Sequence, residues 1–168
     1  YAGPSGHDLA QQVFDRDRGL DAISLSQMVL INKNGRKQVR RFKSKRVRQN
    51  RLERFLIQFT EPADINGTGF LTIEKPGWET EQFLYLPALK RTRRIVSSQK
   101  GHRFVNSDFT YEDMERHPVN NYTYEITGSA AIGNLDCHVL ESHPKPGVES
   151  QYSRTISPIS KKTLVPVQ

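Results

Sequence analysis

The chain has 168 residues, enough for one domain with a substantial core, and its eight Phe and six Tyr in alternating patterns exclude a disordered chain. No apolar stretch reaches the roughly 18 residues that a membrane-crossing helix needs, because Lys, Arg, Asp or Glu interrupts each candidate. Net charge is +7 and ten of the nineteen residues 36–54 are basic, a field that attracts nucleic acid, anionic lipid headgroups or an acidic partner alike.

The chain opens with a helix signal. Ser5 followed three residues later by Asp8 is a capping box, and Leu9, Val13 and Phe14 recur at helical spacing before Gly19. Residues 1–6 lack the charged and apolar regions of a signal peptide, so an export signal is expected to have been removed or to lie outside this chain. Residues 22–32 then change to a period of two, with Ile23, Leu25, Val29 and Ile31 on one side, which predicts a strand. Asn34-Gly35 provides the residues that tolerate positive φ in a tight turn, and the basic run returns as the partner strand.

Residues 52–60 alternate Phe55, Ile57 and Phe59 against Arg54, Leu56 and Gln58 until Glu61-Pro62 stops them. Strands follow at 70–75, 82–86 and 91–96, separated by Pro76-Gly77 and Pro87. Residues 97–118 break the alternation, and Asp108, Tyr111 and Glu112 fall at the spacing of a short helix or helical turn. Strands resume at 122–127, 136–142 and 151–156. Many strands with short turns and few helices predict an antiparallel barrel or a strongly curved sheet.

Catalytic signatures are missing: there is no Gly-x-Ser-x-Gly, Walker loop, His-Glu-x-x-His or Gly-x-Gly-x-x-Gly. Asp108, Glu112, Asp113 and His117 form the richest polar cluster, but one His on a single turn more often caps and pairs with Arg than holds a metal. The lone Cys137 excludes an internal disulfide and a cysteine-based zinc site. Within the basic run, Arg40, Arg41, Lys45 and Arg46 are candidates for a solvent-facing surface that meets anionic partners. The run has only Phe42 as an aromatic, which disfavours the base-stacking surface of a nucleic-acid binder. Phe55, Ile57, Phe59, Phe70, Leu71, Phe83, Tyr85, Phe104, Phe109 and Tyr111 gather as either an ordinary core or the lining of an apolar cavity, and periodicity does not separate the two.

Three segments carry a family resemblance: Asp64-Ile65-Asn66-Gly67-Thr68-Gly69-Phe70-Leu71, then Leu84-Tyr85-Leu86-Pro87-Ala88-Leu89-Lys90-Arg91-Thr92-Arg93-Arg94-Ile95, then Ser107-Asp108-Phe109-Thr110-Tyr111-Glu112-Asp113. In this order they resemble the outer-membrane lipoprotein-sorting proteins related to LolA and LolB. The resemblance implies a mainly β (α+β) fold, a curved, incompletely closed antiparallel β-barrel with a helical lid. It implies one carrier domain over residues 1–168, lacking C-terminal strands that family members carry. The expected function is that of a periplasmic, non-enzymatic carrier in a Gram-negative envelope, without cofactor or metal. Lipid or lipoprotein acyl chains are its expected ligand, with an inner-membrane transporter and an anionic membrane surface as partners and no nucleic acid. The rival expectation is a non-catalytic structural docking protein of an envelope complex, with the same fold filled by side chains and the basic hairpin as its contact surface. The lid is expected from the N-terminal helix and residues 97–118, anchored by Arg93 or Arg94 to Asp108, Glu112 or Asp113.

Overall fold

The computed structural model describes residues 3–168. In chain order its main elements are α1 (Gly6–Asp15), β1 (Asp21–Ile31), β2 (Lys37–Gln49), β3 (Leu52–Glu61), β4 (Gly69–Glu74), β5 (Thr80–Leu86), β6 (Arg91–Ile95), β7 (Tyr122–Ile132), β8 (Leu135–Pro144) and β9 (Thr155–Ser160). Two units divide the chain: Arg18–Glu115, and Arg116–Gln168 together with the residues up to Asp17. No described helix is long and apolar enough to cross a membrane.

The larger unit is an antiparallel meander of six strands in the order β1-β2-β3-β4-β5-β6. The strands are successive in sequence and joined by short turns, so each forms its ladder with the neighbour it has just left. Asn32 closes the first hairpin: its side-chain oxygen accepts from the backbone N–H of Asn34 and of Arg36, both at 2.9 Å. Where β2 meets β3 the register shifts between Arg41 and Phe42, a bulge that leaves Thr60 unpaired on β3. The pleat directs Ile57 and Phe59 of β3, Phe70 of β4, Leu84 of β5 and Ile95 of β6 to one face, where they form the core. Complete burial of Phe59, Phe70 and Phe104 stabilises the unit by roughly 1.5–3 kcal/mol for each side chain.

The smaller unit is a three-stranded sheet, β7-β8-β9, with α1 packed on it. The predicted capping box forms: Ser5 Oγ accepts from the backbone N–H of Asp8 at 3.1 Å, and the Asp8 carboxylate accepts from that of Ser5 at 3.3 Å. Leu9 and Ala10 enter a core with Val119, Leu140 and Ile159. Arg116 lies 4.1 Å from the centre of the Phe14 ring and donates to the Phe14 carbonyl at 3.2 Å, which holds the last turn. The apolar stripe of α1, expected in the lid over the aromatic strands, is therefore taken up by the core of this unit.

Of the two alternatives for residues 97–118 the structure has helical turns, short 3₁₀ turns at Ser97–Gln99, Phe104–Asn106 and Glu112–Met114, and one strand boundary is corrected. Asp113 Oδ2 accepts from the backbone N–H of Thr110 at 2.7 Å and from its hydroxyl at 3.0 Å, a local bond that competes with helical pairing. The last strand lies at Thr155–Ser160 rather than 151–156. Its Pro158 donates no ladder bond, which an edge strand tolerates.

Candidate functional site

The candidate site is the core-facing side of the six-stranded sheet and the segment of residues 96–115 that lies on it. Ile57, Phe70 and Leu84 stand in register across β3, β4 and β5. Phe104 enters from the covering segment. Its ring centre lies 5.0 Å from that of Phe70, 5.8 Å from Tyr111 and 6.1 Å from Phe59, and Phe42 extends the chain of rings at 5.5 Å from Phe59. These tilted and edge-on contacts suit the ring quadrupoles. Burial pushes the Tyr111 hydroxyl above its ordinary pKa, and the Arg93 guanidinium partly reverses that effect.

Of the ten residues expected to line a cavity, Phe55, Ile57, Phe59, Phe70, Phe104 and Tyr111 come together here. The other four are corrected. Leu71, Phe83 and Tyr85 alternate with Phe70 and Leu84 along their strands, so the pleat sends them to the opposite face, where Tyr85 is 39% exposed. Phe109 belongs to the outer side of the covering segment and is 51% exposed.

The cover is tied down by a few polar contacts. Gln82 Nε2 donates to the Tyr111 carbonyl at 2.7 Å, and the guanidinium of Arg40 donates to the Val105 carbonyl. Within the cover, the backbone N–H of Phe104 donates to the Phe109 carbonyl at 2.7 Å, and Lys100 Nζ pairs with Glu115 at 2.8 Å. The anchors expected from Arg93 or Arg94 are drawn otherwise. Arg94 pairs with Glu81 at 3.1 Å, Asp108 pairs with Arg103 at 3.3 Å, and Asp113 holds Thr110. Glu112 is buried.

The basic hairpin also divides by parity. Arg41 and Lys45 are exposed, and Arg41 pairs with Glu61. Arg40 and Arg46 share the inward face with Phe42 and Ser44. Arg40 is buried under the cover, while Arg46 lies 3.6 Å from Glu53 and donates to the carbonyls of Arg18 and Gly19. The expectation that all four cations face solvent therefore fails for these two.

Sequence reasoning missed Gln82 and Phe42 as site residues and misplaced Arg40. The usable signal was Phe42, the one aromatic of the basic run, whose parity fixes which cations turn inward. Arg40 Nε, Thr72 Oγ1 and Gln82 Oε1 are buried without a hydrogen-bond partner, and Thr72 stands opposite Gln82 in the ladder. Across β1, β2 and the end of β3 an open surface pocket of about 370 Å³ is lined by Leu25, Ser26, Gln27, Arg41, Phe42 and Thr60. Among the described residues no three His, Cys, Asp or Glu side chains converge as metal ligands.

Comparison with known proteins places this geometry. A family model described as an uncharacterized protein matches residues 51–168. No curated protein matches the chain. Among solved structures, the chain is similar to a DUF1329 family protein from Desulfovibrio piger, at 34% identity and a TM-score of 0.86, covering 96% of this chain and 70% of that one. It is similar at 30% identity and a TM-score of 0.85 to a domain described as an outer membrane lipoprotein-sorting protein from Vibrio parahaemolyticus, covering 96% of this chain and 69% of that one. A LolA superfamily protein from Nitrosomonas europaea shares the fold at 13% identity and a TM-score of 0.64, over 98% of this chain and 70% of its own.

Proposed function

Because the chain belongs to the outer-membrane lipoprotein-sorting family related to LolA and LolB, we propose that it is a periplasmic, non-enzymatic carrier that takes up the acyl chains of a lipid or lipoprotein on the core-facing side of its six-stranded sheet. The observation that carries this reading is the manner of covering: Phe104 and Tyr111, from a segment of short 3₁₀ turns, fill the face that strands would present to a ligand. Withdrawal of these two rings exposes Ile57, Phe59 and Phe70 as one apolar surface. An open pocket beside Phe42, about 370 Å³, adjoins that surface and offers a way in from solvent. Each methylene buried there contributes roughly 0.8 kcal/mol, so affinity needs no charged contact.

The cover suits displacement. Val105 and Asn106 hold φ of 44° and 60°, a left-handed backbone that a β-branched Val adopts at a cost of order 1 kcal/mol. The Thr72 hydroxyl and Arg40 Nε–H are buried donors without a partner in this closed form, each able to donate to a carbonyl that enters beside it.

The filled face also favours a second reading, a docking protein whose aromatic cluster is only a core. A fluorescent fatty-acyl probe separates the two. Phe104→Leu loosens the plug while keeping an apolar side chain, so a carrier takes up more probe at only modest loss of stability. A docking protein shows a lowered melting temperature and no uptake by either form.

A further inference from the structure

The opposite face of the β1–β2 hairpin carries a feature that the aromatic cluster does not use. Ile23, Leu25 and Ile31 are 68%, 82% and 62% exposed, and Val29 stands between them on the same side of the edge strand. Across the ladder, Ile23 faces Lys45, Leu25 faces Lys43 and Ile31 faces Lys37. Lys37 and Lys45 are exposed, Lys43 is half-buried, and none of the three has a carboxylate partner among the described residues.

We propose that this face docks on the surface of a bilayer containing anionic lipids. The outward face of β1 carries two apolar pairs, Ile23 with Leu25 and Val29 with Ile31, separated by Gln27, and Lys45, Lys43 and Lys37 stand across the ladder from three of the four, which selects an anionic occupant. The lysine stems lie along the apolar row while their heads reach phosphates, the arrangement by which interfacial segments sit at the headgroup boundary. A second copy of the chain would set the same cations against one another, whereas phosphates neutralise them. The aromatic rings lie on the other side of the pleat and only Leu25 also lines the pocket beside Phe42, so docking is tested at Ile23 and Ile31, which line no acyl contact.

The test uses the full chain with vesicles of phosphatidylcholine alone or mixed with phosphatidylglycerol. The protein should sediment with the mixed vesicles, release at high salt, and ignore phosphatidylcholine. Replacing Lys37, Lys43 and Lys45 together by Gln should weaken that binding on the order of a hundredfold, and Ile23→Ser with Ile31→Ser should weaken it with unchanged melting temperature and unchanged acyl-probe uptake. Ile23→Trp should shift its emission to the blue on adding mixed vesicles. Failure to sediment with mixed vesicles, binding that survives both sets of substitutions, or dimerisation abolished by Ile23→Ser would each overturn the proposal; the last would assign the face to a second copy.

Discussion

Arg40 and Lys45 look alike in a basic run, yet the pleat gives them opposite roles. Arg40 is buried and donates to the Val105 carbonyl, whereas Lys45 stands in solvent. A charge-assisted bond of this kind contributes about 1.5–3 kcal/mol, and its loss also leaves a buried carbonyl unpaired. Arg40→Ala should therefore lower stability by roughly 2–4 kcal/mol in urea unfolding, and Lys45→Ala by less than about 0.5 kcal/mol. Equal shifts would mean that the parity assignment is wrong. Tyr124 makes a prediction of another kind. Burial, with Tyr122 beside it, pushes its hydroxyl up to about 12 from an ordinary value of 10. The folded state then holds this proton more tightly than the unfolded chain. Its contribution to stability is present below pH 10 and is lost as pH rises from 10 towards 12. Thermal melts across that window should decline, and Tyr124→Phe should flatten the decline.

At the scale of elements, α1 shows how a docking contact reverses a usual rule. Glycine near a helix start normally gains from replacement by Ala, but a Cβ on Gly6 would lie 2.5 Å from the Tyr124 carbonyl oxygen and 2.8 Å from the Glu125 nitrogen. Both are strand backbone and cannot yield as a side chain would, so Gly6→Ala should destabilise by roughly 1–3 kcal/mol, read as a lower melting temperature. Nothing in the sequence around Gly6 announces this, because the close approach is to a residue more than a hundred positions away. What was legible was local: the Ser5–Asp8 box, the Asn34-Gly35 turn and the alternation of β3 each express their structure within a few residues. The cover is legible only in part: the turn at Glu112 fits the spacing of Asp108, Tyr111 and Glu112, but the Asp113–Thr110 bond and the left-handed Val105 leave no periodic signal. Strands 70–75 and 82–86 are legible in the sequence, whereas the two faces of each are not separated by hydrophobic type, since Leu71, Phe83 and Tyr85 are as apolar as Phe70 and differ from it only in parity.

For the molecule as a whole, a carrier whose acyl face is filled by its own cover has a kinetic consequence. If Phe104 and Tyr111 must leave before acyl chains enter, the competent form is a minor state, and apparent affinity is reduced by its population. Binding then follows opening, and at high probe concentration the observed association rate should reach a plateau set by the opening step. Substitutions that act only on the cover should move that plateau. Gln82→Ala removes the bond to the Tyr111 carbonyl without touching the aromatic rings, so it should raise both the plateau rate and the apparent affinity even though it lowers stability. A net stabilisation of the closed form by about 1 kcal/mol from this bond corresponds to roughly a fivefold change in the open population. Stopped-flow mixing with a fluorescent acyl probe reads both quantities. A rate that rises linearly with probe, unaffected by Gln82→Ala, would show that acyl chains enter without displacing the cover, through the open pocket beside Phe42.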